Sequence, residues 1–233
     1  MRARSILAAG ALALLAAGAA SAAGSRCYGT VGNGRIEGSV KLPTRGSNFE
    51  AYSVLGAAAG RTYVHSRVSD VLLAAYAELA RTHPGKKYVY GETGWAGGGR
   101  FRPHRTHQNG LSVDFFVPVV DANGKSAVLP IVPTNKLGYD IEFDASGRFG
   151  QYAIDFEALA EHLYQLDVAA RTRGIGIAMV ILDREYLPKL FSTARGRYLR
   201  EKIPFMKGKP WVRHDEHYHV DFAVRCMRNR QNG

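Results

Sequence analysis

An aspartate stands inside an apolar run. Residues 111–120, LSVDFFVPVV, have the β-branched and aromatic content that predicts a strand, and Asp114 lies there between Val113 and Phe115. An ionised carboxylate taken out of water needs a cation or a partner to offset its lost hydration. Any fold of this chain therefore has to bring something positive to that strand. His107 falls in the polar loop just before it, with Gly110 allowing a sharp turn between the two. Far downstream, in RHDEHYHVDF, His217 and His219 are two positions apart. On a strand that spacing aims both side chains at one face and turns Tyr218 to the other.

Together these residues form a cluster of histidines and one carboxylate. Two histidines, a carboxylate and a water make a catalytic zinc site, because zinc accepts N and O ligands and lowers the pKa of its bound water toward about 7. One histidine is then left over for another task. A hydrogen-bonded polar network without metal is the bland alternative. His65, His83 and His162 stand alone and read as structural.

The elements around the cluster predict an α+β fold, a mainly antiparallel sheet with flanking helices. Helical spacing predicts a helix over 69–81 with Ser69 as its N-cap and a stop at Pro84-Gly85. A second runs from Asp155 to Arg173 and ends at Gly174. KKYVYGETGW, LSVDFFVPVV, IGIAMVIL and HYHVDFAV read as strands, DANGK as a turn and REYLPKLFST as a short helix. Residues 27–60 read as loops and short edge strands. No internal repeat or second domain is apparent.

The 233 residues, 46% hydrophobic and 22% charged, suffice for a core without staples. The first 22 read as an export signal: Arg2 and Arg4, an apolar stretch from Ile6 to Ala20, then Ala20, Ser21 and Ala22 as a cleavage site. That stretch is shorter than the roughly 20 residues of a membrane span and lacks an anchoring flank. The expectation is one domain, 23–233, without stable membrane insertion. Export also lets Cys27 and Cys226, at opposite ends of the mature chain, pair and pin the termini; two unpaired thiols are the alternative. The net charge of +11, or +9 once Arg2 and Arg4 leave, favours anionic surfaces. It is spread rather than run together, and no paired phosphate-binding motif accompanies it, which argues against nucleic acid as partner.

The pattern His107, Gly110, Asp114 and then His217-Tyr218-His219 resembles the zinc signature of the LAS metallopeptidases, named for lysostaphin, D-Ala-D-Ala metallopeptidases and sonic hedgehog. Within that group the chain is most similar to the penicillin-insensitive murein endopeptidases, through GGGRF, HRTHQNGLSVD and HDEHYH. The resemblance implies zinc held by His107, Asp114 and His219, with His217 off the metal as general base or oxyanion stabiliser. His104 and His214 would line the site or orient a ligand. Strand alternation turns Glu216 away from the face of His217 and His219 unless the segment bulges; a glutamate before the last histidine pair is the base in related carboxypeptidases, which keeps Glu216 and Asp215 open. Arg100 is a candidate grip for a peptide carboxylate, and Trp95 and Tyr218 are candidate substrate contacts by proximity. The implied activity is hydrolysis of D-alanyl to meso-diaminopimelyl cross-links of peptidoglycan in the periplasm. A D,D-carboxypeptidase, an L,D-endopeptidase and a non-catalytic zinc-binding cell-wall module are the alternatives.

Overall fold

The computed structural model describes residues 24–229; the expected export signal, 1–22, lies outside the described residues. In chain order, a hairpin of β1 (Arg26–Thr30) and β2 (Asn33–Glu37) precedes β3 (Val40–Lys41), β4 (Phe49–Ala51), α1 (Val54–Ala58) and β5 (Tyr63–Val64). Then come α2 (Ser66–Thr82), β6 (Tyr88–Tyr90), β7 (Ser112–Phe116), β8 (Val119–Val120) and β9 (Ser126–Ala127). β10 (Arg148–Phe149) and β11 (Tyr152–Ile154) lead to α3 (Phe156–Thr172), β12 (Gly176–Ile181), α4 (Leu187–Phe191), α5 (Gly196–Lys202) and β13 (His217–Ala223). The fold is α+β, as the sequence predicts. Its main sheet has the order β12-β13-β7-β6-β4, antiparallel except for the parallel β4–β6 pair.

Alternation gives this sheet two unlike faces. Phe115 of β7 and Tyr218 of β13 stack at 5.4 Å on the face covered by α3, where His162 packs edge-on against Phe115. His162 also stacks on Tyr76 of α2 and Tyr88 of β6 and hydrogen-bonds Tyr218. Leu159, Leu163, Val220 and Phe222 complete this layer, each fully burying side chain contributing roughly 1.5–3 kcal/mol. Asp114, His217 and His219 point the other way. The histidine in the core is thus structural, and Tyr218, expected as a substrate contact, is core as well.

Several boundaries differ from the sequence reading for identifiable reasons. Helix α2 starts earlier because His65, not Ser69, is its cap, its Nδ1 accepting from the Arg67 N–H at 3.2 Å; Ser69 is buried a turn further on. The strand expected over 111–120 splits in two around Pro118, which has no N–H for a ladder. The expected turn at DANGK joins β8 to β9, and Asp155 caps α3 through the Ala158 N–H at 3.0 Å. Segment 196–202, whose sequence drew notice only for its charge, is helix α5. Cys27 and Cys226 are disulfide-bonded across 199 positions, and the Gly29 N–H donates to the Met227 carbonyl at 2.8 Å beside them. No helix among the described residues is long and apolar enough to cross a membrane.

Candidate metal centre

The strand register sets one side of the site. β7 and β13 pair so that His219 lies opposite Asp114, Asp221 opposite Ser112 and His217 opposite Phe116. His219 Nδ1 is 2.8 Å from Asp114 Oδ1, and its Nε2 is 2.8 Å from Asp221 Oδ1, which also accepts from the Ser112 hydroxyl at 2.6 Å. The loop 101–110 supplies the other side. There Gly110 sits at φ +77, where an added Cβ would come within 2.8 Å of the His65 nitrogen. His107 is itself left-handed, at φ 67, and fully buried.

The tautomer of His107 decides what this cluster needs. Its Nδ1 is 3.1 Å from the Thr93 carbonyl oxygen, a pure acceptor, so Nδ1 carries the proton and Nε2 presents a lone pair. That lone pair has no hydrogen-bond donor and faces Asp114 Oδ1 at 3.2 Å. Two buried acceptors opposed in this way repel unless a cation lies between them. If His219 donates from Nε2 to Asp221, as a ligand histidine does to an outer carboxylate, its Nδ1 adds a third lone pair. The edge of a zinc tetrahedron with bonds near 2.05 Å is about 3.3 Å. The 3.2 Å His107–Asp114 separation matches it, and the 2.8 Å His219–Asp114 separation is slightly tighter. The donor set fits zinc.

Charge tells the same story. Burial pushes the Asp114 carboxyl up, but the imidazoles of His107 and His219 outweigh it and hold it well below the usual carboxylate range. Burial pushes His107 down, so its ring is neutral and His219 is the positive partner. Burial also opposes a charged His219, yet Asp221 and Asp114 raise it to about 10. A positive charge belongs between these carboxylates, carried by a proton when no metal is bound.

The cluster opens into a cavity of about 530 Å³. His217 lines it, buried, with its pKa pushed down to about 4 by burial. Its Nδ1 lies 2.7 Å from Glu216 Oε1, while Nε2 makes no hydrogen bond among the described residues. Here a sequence expectation fails. Glu216 precedes β13, so alternation does not govern it, and its carboxyl enters the same cavity, raised to about 8 by burial. Asp215 instead accepts from the Phe143 N–H at 2.6 Å, burial raising it to about 7.

His104 and His214 both line the cavity. His214 lies beside His217 with ring centroids 4.5 Å apart and the rings tilted by 38°, and burial takes it down to about 3. His104 comes closer to the metal site than a wall residue: with His107 and Asp114 it forms a group whose candidate ligand atoms lie within 4.8 Å of one another. Its Nε2 bonds Glu92 at 2.6 Å, leaving Nδ1 3.7 Å from Asp114 Oδ2. Arg100 is exposed and outside the cavity lining, so the grip assigned to it fails on position. Trp95 packs edge-on against Phe101 beneath Arg61 rather than facing the cavity.

Arg61, Glu92 and Tyr139 are among the cavity residues that escaped the sequence reading. Glu92 accepts from Arg61, from the Tyr52 hydroxyl at 2.8 Å and from His104. Burial raises its pKa, but the Arg61 and His104 bonds take it to about 2. GETGW and NKLGYD carry no spacing that would have announced these contacts.

A buried His and carboxylate cluster with an unpaired lone pair, on an antiparallel sheet and open to a cavity, is a group that could hold a metal ion. The comparison with known families adds to this: residues 27–130 match the family model of penicillin-insensitive murein endopeptidase. The match takes in His104, His107 and Asp114, ends before His214, His217 and His219, and supports the family resemblance that the motifs carry. That family is one of peptidases acting on peptidoglycan. No curated protein matches the chain.

Proposed function

We propose that the chain is an exported, zinc-dependent murein endopeptidase that hydrolyses D-alanyl to meso-diaminopimelyl cross-links in the periplasm. The observation that carries this reading is the lone pair of His107 Nε2 facing Asp114 Oδ1 with no donor between them, beside His219 and inside an open cavity. His107, Asp114 and His219 would hold the ion, which when bound makes water a better nucleophile at neutral pH and polarises a carbonyl.

The chain's own residues manage the proton. His217 is neutral near pH 7 because burial pulls its pKa to about 4. In the tautomer whose Nδ1–H donates to Glu216 Oε1, its Nε2 is available to take a proton from the attacking water and return it to the leaving amine. Arg61 and Glu92 fix His104 at the cavity wall, so the substrate meets a preset surface. Glu216, lying in the cavity against His217, supports a second reading in which the carboxyl is the base and a carboxypeptidase the activity.

Digestion of purified cross-linked muropeptide dimers, with and without a chelator and read by mass spectrometry, tests the proposal. Chelator-sensitive conversion of dimers to two monomers is the expected result. Release of terminal alanine alone favours the carboxypeptidase, and intact dimers favour a non-catalytic module.

A further inference from the structure

The Asp114 carboxylate has two oxygens, and the histidines of the proposed centre account for one. Oδ1 lies 2.8 Å from His219 Nδ1 and 3.2 Å from His107 Nε2. Oδ2 is 3.2 Å from the Tyr139 hydroxyl. The Glu92 backbone N–H donates to that same phenol oxygen at 3.0 Å. An amide N–H only donates, so the phenol proton is left for Asp114. The chain of bonds therefore runs in one sense, from Glu92 through Tyr139 to Asp114.

The surroundings are shaped to this contact. A Cβ on Gly91 would stand 2.7 Å from the Tyr139 hydroxyl and 3.0 Å from the Asp114 Cβ, so glycine leaves the room the phenol occupies. Tyr139 arrives on a bent segment in which Lys136 and Leu137 are both left-handed, at φ 50 and 57. The Asn135 side chain holds that bend, Oδ1 accepting from the Val132 and Gly138 N–H groups at 3.0 and 2.8 Å. The phenol ring packs edge-on against His217 at 5.0 Å and His104 at 5.9 Å. A strained backbone and a sterically required glycine converge on one hydroxyl.

We propose that Tyr139 is a positioning residue of the metal centre: its hydroxyl holds Asp114 Oδ2 so that Oδ1 alone faces the ion. This rests on the metal site read above. Hydrogen bonds to ligating carboxylates fix their orientation, and removing such a partner typically weakens metal binding about 10–100-fold. A consequence is that segment 133–141, which lines the cavity through Lys136, Leu137, Tyr139 and Asp140, cannot swing away without releasing Asp114.

The test is zinc affinity of Tyr139→Phe, by competition with a chromophoric chelator, together with the visible spectrum of the cobalt-substituted protein. The expected result is an affinity lower by about 10–100-fold, with weaker cobalt d–d absorption as the freed carboxylate offers its second oxygen and coordination rises above four. Cooperative melting of the metal-free variant separates this from loss of fold. Should Tyr139→Phe fail to fold, Gly91→Ala, whose methyl displaces the hydroxyl, is expected to lower affinity over the same range. Wild-type affinity and an unchanged cobalt spectrum in either folded variant overturn the inference. Wild-type protein that binds neither zinc nor cobalt overturns the metal reading itself, a different failure.

Discussion

The two sides of the candidate centre are built by different means. Asp114 and His219 are cross-strand partners, fixed by the ladder of β7 and β13 in the middle of the main sheet. His104 and His107 sit on a loop whose shape depends on parts that are remote in sequence. The Gln108 N–H donates to Val31 at 3.0 Å and the Gly99 N–H to Gly34 at 3.1 Å, so the β1–β2 hairpin braces the loop. The disulfide ties that hairpin to the C-terminal segment, and the Asn109 amide reaches Cys226 Sγ at 3.5 Å. One half is held by a continuous strand ladder and the other by separate loop contacts and a disulfide. The strand half should therefore persist where the loop half loosens.

The largest expected effects break both halves at once. Asp114→Ala removes the carboxylate shared by His107 and His219, and metal analysis of the purified variant is expected to find no bound zinc and digestion assays no turnover. His107→Ala and His219→Ala are expected to behave alike. His217→Ala should separate metal from chemistry, retaining zinc while kcat falls by about 10²–10⁴-fold, the usual contribution of a general base. An active His217→Ala enzyme would move the base to Glu216.

The disulfide distinguishes the halves from each other. Replacing Cys27 and Cys226 by Ser is expected to cost roughly 2–5 kcal/mol in urea unfolding. Hydrogen exchange is expected to quicken at 101–110 well before 112–116 or 217–223; equal loss in both would erase the distinction. A smaller effect reports on the helix-covered face alone. Burial takes His162 from 6.5 to about 3, so the folded chain refuses a proton that the unfolded chain accepts. Stability from this group is complete above about pH 6.5 and falls as pH drops toward 3, by about 3 kcal/mol at pH 4. Urea titrations of wild type and His162→Gln at the two ends of that range check it, the variant losing less on acidification.

The same contrast explains what the sequence made legible. Asp114, His217 and His219 could be read because a strand has a period of two, and a carboxylate between Val113 and Phe115 has to be answered by a cation. Helix α3 was equally plain, with Asp155 before it and Gly174 after it. Alternation misjudged Glu216 because the strand begins one residue later, and placed Ser69 as a cap because nothing in the pattern marks His65 as an acceptor. Arg61, Glu92 and Tyr139 act through side-chain bonds between segments remote in sequence, which leave no periodic trace. Arg100 was chosen by nearness in sequence, and a loop carried it to the exterior.

The central claim is that His107 Nε2, His219 Nδ1 and Asp114 Oδ1 share one ion. A crystal structure of zinc-loaded protein with anomalous data at the zinc edge measures this directly. The account predicts one strong peak bonded to those three atoms, with His104 still on Glu92. A peak on His104 without His219, or none at the cluster in zinc-saturated protein, would contradict it.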